Sequence, residues 1–283
     1  MNIRVIAIIS CLLPIWMTAQ THTEDTLQKI ANVINSIKKQ EFTANEQETM
    51  DKLTEWRTKL SKDETIIGNY SISHMARIIS IPHKPWGQIL LKLTNEFQSK
   101  MMLEIGTCIG MSAAYLAAGA PQGKMLTYEN FAPIVPLAED TLSYAGVSNV
   151  EILLGDVATL LKNTVSKVDP IDFVFDDHIH TERPVLEYFN IISPYLADQA
   201  VYLFDDIMRN PSMESAWNKI KNDPRVSIGV TLTQGICYHD FDHAVPRLGI
   251  CIIDNKIKEK YYIDINLDRC NNVSVQNNQL ILN

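Results

Sequence analysis

No Cys-x-x-Cys pair occurs in this chain. Its five cysteines, Cys11, Cys108, Cys237, Cys251 and Cys270, stand far apart. That scatter argues against a zinc site and offers no disulfide framework, and it fits a reducing compartment. No basic run occurs either. There are 25 Lys and Arg against 33 Asp and Glu, a formal net charge of -8. An acidic chain of this kind lacks the clustered cations that sequence-independent nucleic-acid binding needs. It has no RNA-binding aromatic signature, internal repeat or low-complexity tract. What it does have is apolar content, 46% of 283 residues. That is enough for one large α/β domain, with or without extensions.

The amino terminus points away from a reducing compartment. Met1 to Arg4 is a short charged start, Val5 to Met17 carries no charge, and Thr18-Ala19-Gln20 offers a small residue for cleavage. The order is that of a secretory signal peptide. Ile8-Ile9-Ser10-Cys11 also loosely fits a lipoprotein cleavage pattern. The apolar stretch is short for a membrane span, so membrane contact is expected only through residues 1–19, where they are retained. The rival reading is a hydrophobic segment docked on the domain or on a partner chain.

From Thr23 to Ser61 the spacing is helical. Leu27, Ile30, Ile34 and Ile37 form one apolar face, and Met50, Leu53, Trp56 and Leu60 a second. Such stripes read as core or as a homodimer contact. Gly68 to Pro85 is expected to be irregular, and Trp86 to Phe97 helical. Strands are then expected near 101–105, 125–129, 149–154, 171–176 and 199–204. Helices are expected near 111–119, 132–145, 156–166, 182–195 and 211–222. This alternation predicts a parallel sheet with both faces covered. Val226–Leu232, extending toward Tyr238, and Arg247–Asp254 read as a closing antiparallel pair. Residues after Asn255 read as a polar tail with one candidate strand, Tyr261–Ile265.

The most informative segment is Met101-Met-Leu-Glu-Ile-Gly-Thr-Cys-Ile-Gly-Met-Ser112. An apolar strand ends in an acid, Gly106 and Gly110 permit a sharp turn and close ligand approach, and Ser112-Ala113-Ala114 begins a helix. Dinucleotide enzymes use G-x-G-x-x-G, in which the backbone meets a pyrophosphate. Here the spacing is Glu104-x-Gly106-x-x-x-Gly110, with Cys108 at the middle glycine's place. The other expected strands also end in acids: Glu129, Asp156, the pair Asp176 and Asp177, and the pair Asp205 and Asp206. In a doubly wound sheet these positions line the ligand edge. A purely structural sheet gains nothing from crowding like charges there.

The strand-turn-helix resembles motif I of class I S-adenosylmethionine-dependent methyltransferases, especially the O-methyltransferase form with its Leu103-Glu104-Ile105-Gly106-Thr107 opening. Ser80-Ile81-Pro82, Asp172-Phe173-Val174-Phe175, Phe204-Asp205-Asp206-Ile207, and Met213 through Val226 extend the likeness. Over roughly residues 50–238 the chain resembles a bacterial O-methyltransferase-like family related to catechol O-methyltransferase. The resemblance implies an α/β fold, a Rossmann-like seven-stranded mostly parallel sheet with helices on both faces, plus an N-terminal helical extension. It divides the chain into a signal-like segment (1–20), a helical extension (21–80), the methyltransferase domain (81–255) and a C-terminal tail (256–283).

It also implies site roles. S-adenosylmethionine is expected across Glu104, Gly106, Thr107, Gly110, Ser112 and Asp177, with Glu129 accepting the ribose hydroxyls and Asp156 the adenine amino group. Asp156 reads equally as a helix cap. Related metal-dependent enzymes hold a divalent ion between the fourth and fifth strands. Asp177 precedes Asp205 by 28 residues (205 minus 177), a similar spacing. Asp177, Asp205 and Asp206 are therefore candidate ligands for Mg²⁺ or another hard divalent cation, although the three can also serve without metal. His180, with Asp177, is the candidate catalytic pair, because a His titrates near the pH at which a hydroxyl must lose its proton. The closer family has Gly where this chain has His178. His239, Asp240, Asp242 and His243 read first as a polar loop and second as a transition-metal site.

The function expected is methylation of a small-molecule hydroxyl, with no nucleic-acid partner. Cofactor supply implies the cytoplasm, and the signal-like start implies export or anchoring. Two rival readings stand beside it. One is a nicotinamide-dependent oxidoreductase, opposed by Cys108. The other is an exported binding or scaffold protein that kept the fold.

Overall fold

Every residue of Met101–Ile105 (β1) is buried, as expected of a strand with sheet neighbours on both sides and helices above and below. A computed structural model describes residues 4–234 and 248–282 of the chain. Further strands are Lys124–Glu129 (β2), Val150–Leu154 (β3), Ile171–Asp176 (β4), Leu196–Phe204 (β5), Ile228–Thr233 (β6), Leu248–Asp254 (β7) and Tyr261–Asn266 (β8). They form one sheet in the order β8-β6-β7-β5-β4-β1-β2-β3. Only β7 runs against the others: it pairs antiparallel with β5 and β6, and every other pairing is parallel.

The sheet therefore has eight strands where seven were expected. The extra strand is the Tyr261 candidate, which pairs in parallel from Tyr261↔Ile228 to Asn266↔Thr233. Its side chains alternate, with Tyr262 exposed and Ile265 buried, so it reads as a half-covered edge. The expected polar tail is in fact ordered. After β8, Val273–Gln276 pairs antiparallel with Gln279–Leu282. The Asn35 amide grips this hairpin, donating to Val273 O at 2.7 Å and accepting from Val273 N at 2.8 Å.

Helices cover both faces. Arg4–Lys39 (α1), Ala44–Leu60 (α2), Gln88–Glu96 (α3), Met111–Gly119 (α4) and Val135–Ala145 (α5) lie on one side; Val157–Thr164 (α6), Glu182–Ile192 (α7) and Pro211–Lys221 (α8) lie on the other. Strand alternation feeds both cores. Phe173, Phe175, Val201 and Leu203 face the first, and Leu103, Ile105, Tyr202 and Phe204 face the second. Both predicted amino-terminal stripes are buried inside this chain's own first core. A capping box between Thr43 and Glu46 starts α2. Glu46 then pairs with Lys92 of α3 at 2.8 Å, both side chains largely buried. Trp56 donates to Thr141 Oγ1 at 2.9 Å and stacks on Tyr144. The extension is thus a layer of the same core.

Val5–Met17 falls within the first turns of α1. Among the described residues no helix is long and apolar enough to cross a membrane. The segment expected to be irregular holds a small hairpin, Ile66–Ile67 with Tyr70–Ser71, and two short π-helical turns. Cys237, Tyr238 and the His239–His243 cluster lie outside the described residues.

Candidate functional site

The carboxyl ends of the parallel strands are tied to one another by backbone hydrogen bonds that run past the sheet itself. Gly106 N donates to Tyr128 O, Gly155 N to Glu129 O, Asp177 N to Ile105 O, and Asp205 N to Asp176 O, all at 2.8–3.0 Å. These links place the acids of β1, β2, β4 and β5 along one edge. At the centre, Gly106 has φ +101°, and a Cβ there would stand 2.2 Å from Asp177 O. Only glycine lets the β1 turn lie against the β4 turn. Gly110, at φ +77°, makes the corresponding approach to the Ala138 backbone and opens α4.

Glu104 is fully buried beneath this turn. Thr127 donates to its Oε2 at 2.5 Å, and Thr107 and Thr127 hydroxyls meet at 2.6 Å. Its Oε1 has no hydrogen-bond partner. Burial pushes the carboxyl up to about 8, against the pull of the Ser112 and Thr127 hydroxyls. Glu129, at the end of β2, is the opposite case. It accepts from the backbone amides of Cys108, Asn130 and Phe131 at 2.8–2.9 Å. Glu104, Gly106, Thr107, Ser112 and Glu129 lie in or against one turn. Asp156 stands apart. It caps α6, accepting from Thr159 N at 2.9 Å and Thr159 Oγ1 at 2.6 Å. Those bonds hold its carboxyl below the ordinary range.

The ends of β4 and β5 carry the less satisfied groups. Asp177 Oδ1 lies 3.3 Å from His180 Nε2. Asp177, His180 and Asp205 each turn a ligand atom inward, all within 4.8 Å of one another. Asp205 Oδ1 and His180 Nε2 are sealed from solvent, and among the described residues Asp205 Oδ1 has no hydrogen-bond partner. Burial, then the Asp177 and Asp206 charges, push Asp205 well above the usual carboxylate range. Burial also raises Asp177, although the His180 imidazole pulls the other way. Asp206, expected beside Asp177 and Asp205, pairs with Arg209 Nη1 at 2.6 Å and lies 3.7 Å from His180 Nε2. Its backbone has φ +51°.

Several supports were not read from the sequence. Arg209 holds Asp206. Asn210 donates to His180 O at 2.9 Å and caps α8 by accepting from Met213 N. The Asn-Pro pair at 210–211 is a helix-start signal that could have flagged it. His178 packs between Asn130, 3.1 Å from its Nε2, and Tyr188, 3.5 Å from its Nδ1. Asp176 is buried under the turn and accepts the His178 backbone amide; burial raises it well above the carboxylate range. An acid ending an apolar strand gave no sign of which of Asp176 and Asp177 turns inward.

Fold and site together define a doubly wound α/β domain with an acid-lined edge at the carboxyl ends of its strands. Residues 103–207 match the family described as a methyltransferase domain. The chain is 37% identical over 93 residues to a catechol O-methyltransferase of Mycobacterium tuberculosis, covering 32% of this chain and 41% of that protein. It is 33% identical over 96 residues to the catechol O-methyltransferase of Mus musculus, covering 32% and 36%. The chain thus matches less than half the length of either relative. In fold it is similar to an O-methyltransferase from Bacillus cereus solved in complex with SAH, with a TM-score of 0.55 and 18% identity over 72% of this chain and 90% of that one.

Proposed function

We propose that this chain transfers the sulfonium methyl of S-adenosylmethionine to a hydroxyl of a small-molecule acceptor. The observation that carries the reading is the glycine turn at Gly106, closed against the Asp177 carbonyl, lying over buried Glu104 and tied to Glu129 through the Cys108 amide. A nucleoside can approach such a turn closely, with a carboxylate beside it for its hydroxyls. Bound there, the cofactor supplies an electrophilic methyl group whose C–S electron pair returns to sulfur on transfer. The chain's own work is alignment and proton removal. Glu129 takes the ribose hydroxyls, the Gly106–Gly110 backbone admits the nucleoside closely, and Asp156, besides capping α6, accepts from the adenine amino group. Asp177 and His180 meet the acceptor, and the hydroxyl proton passes to this pair as the oxygen takes the methyl.

The inward atoms of Asp177, His180 and Asp205 also fit a divalent cation. Asp205 Oδ1 is buried and unbonded among the described residues, which is costly unless something meets it. A bound cation would lower the hydroxyl's pKa and fix the oxygen. Cofactor supply places the activity in the cytoplasm. Amino-terminal sequencing with cell fractionation tests that placement, and a mature chain beginning at Gln20 in an exported fraction would contradict it. The activity itself is tested by calorimetric titration of the purified chain with S-adenosylmethionine. Saturable one-to-one binding is expected. No heat at about millimolar cofactor, the weak end of specific binding, would count against the reading.

A further inference from the structure

We infer that His180 is a metal ligand rather than the proton acceptor, so that the cation at this site is held by two carboxylates and one imidazole. This revises one role in the reading above, that of His180 as proton acceptor, and rests on that reading for the location of the reacting end. The two roles exclude each other at one atom, because a nitrogen whose lone pair binds a metal cannot also take a proton.

Three observations favour ligation. His180 Nε2 is sealed from solvent and faces two carboxylates, Asp177 Oδ1 at 3.3 Å and Asp206 Oδ2 at 3.7 Å, whereas a base must reach the acceptor's proton. The same nitrogen faces the gap it shares with Asp177 and Asp205, where all three ligand atoms fall within 4.8 Å. The carboxylate that would otherwise complete an all-oxygen set is engaged elsewhere: Asp206 Oδ2 is 2.6 Å from Arg209 Nη1. The third corner is therefore imidazole nitrogen. The His180 backbone is fixed for this by Asn210, which donates to its carbonyl at 2.9 Å.

The donor set changes the metal. Carboxylates alone suit Mg²⁺, Ca²⁺ and Mn²⁺, while an added imidazole shifts preference toward Co²⁺ and Zn²⁺, with Mn²⁺ usable as the paramagnetic probe. Proton removal then falls to Asp177 or to a water in the cleft.

The test uses the full chain, stripped with chelator and titrated with Mn²⁺ alone, without cofactor or acceptor. Pulsed electron paramagnetic resonance of the loaded protein should show ¹⁴N modulation from one coordinated imidazole. His180→Asn should abolish that modulation and weaken Mn²⁺ by about tenfold or more. Asp206→Asn should leave the modulation intact and shift affinity by less than about threefold, since Arg209 already holds that carboxylate. Zn²⁺ should displace Mn²⁺ and Mg²⁺ should not.

Bound Mn²⁺ without nitrogen coupling overturns the inference. So does loss of affinity in Asp206→Asn with His180→Asn unaffected, or no binding of Mn²⁺, Co²⁺ or Zn²⁺. The wild-type spectrum decides the matter even if a variant fails to fold. SAH calorimetry on the same stripped protein separates the two claims. SAH binding without metal binding sinks only this inference, and metal binding with nitrogen coupling but no SAH binding sinks only the methyltransferase reading.

Discussion

The acidic edge of the sheet has two halves that differ in how their charges are met. At the ends of β2 and β3, Glu129 takes three backbone amides and Asp156 caps a helix. At the ends of β4 and β5, among the described residues, Asp205 turns a buried oxygen toward no partner, His180 Nε2 faces the carboxylates of Asp177 and Asp206, and burial holds Asp177 and Asp205 above the carboxylate range. Glu104 sits between, with one oxygen bonded and one bare. A half whose polar atoms are satisfied by the chain is pre-organised and can receive a neutral sugar or base. A half whose buried atoms are bare stays costly until a ligand, proton or cation arrives. Under the proposed function, the difference gives nucleoside binding to one half and chemistry to the other.

The contrast can be broken at the seam. Gly106→Ala puts a methyl against the Asp177 carbonyl in a backbone region that L-residues rarely adopt. It should cost about 3 kcal/mol, in the upper part of the range for single substitutions, and lower the thermal midpoint by several degrees. An unchanged midpoint would mean that the β1 and β4 turns do not touch. Next in size, Glu129→Gln should weaken SAH by roughly 10- to 100-fold, the worth of charge-assisted bonds to the ribose. Unchanged SAH affinity would remove Glu129 from the cofactor site.

The effect of pH sharpens the comparison further. Glu104 is raised in the folded chain from an ordinary 4.5 to about 8. Its neutral form is the one the fold favours, so its contribution to stability is complete below about pH 4.5 and is lost as pH rises through about 8. Between those limits the thermal midpoint of Glu104→Gln should fall less steeply with pH than that of wild type. Parallel profiles would contradict the burial argument. The smallest effect is expected of Asp156→Ala, about 1 kcal/mol for a lost cap. If SAH affinity falls together with stability, the adenine role stands; if stability alone moves, Asp156 is only a cap.

Much of this was legible because strands and helices alternate and the punctuation is strong. β1, β4 and α4 fall on the expected residues, and Gly106 marks the turn where no side chain fits. The eighth strand was visible only as a candidate, because a half-exposed edge with Asp264 and Asn266 has little apolar pattern to read. At the site, strand-end position identified the acids but not their directions. Asp205 and Asp206 are adjacent, yet a positive φ at Asp206 and a pairing with Arg209 turn them to different partners. Those directions are set by contacts distant in sequence from the strand pattern. The inward place of His180 was likewise fixed from outside its own segment, by Asn210.

The most direct measurement is a crystal structure of the chain grown with SAH. The account expects the ribose on Glu129, the nucleoside over the Gly106–Gly110 turn, and the sulfur directed at Asp177. SAH bound elsewhere, or a cleft filled by the protein's own side chains at saturating SAH, would contradict it.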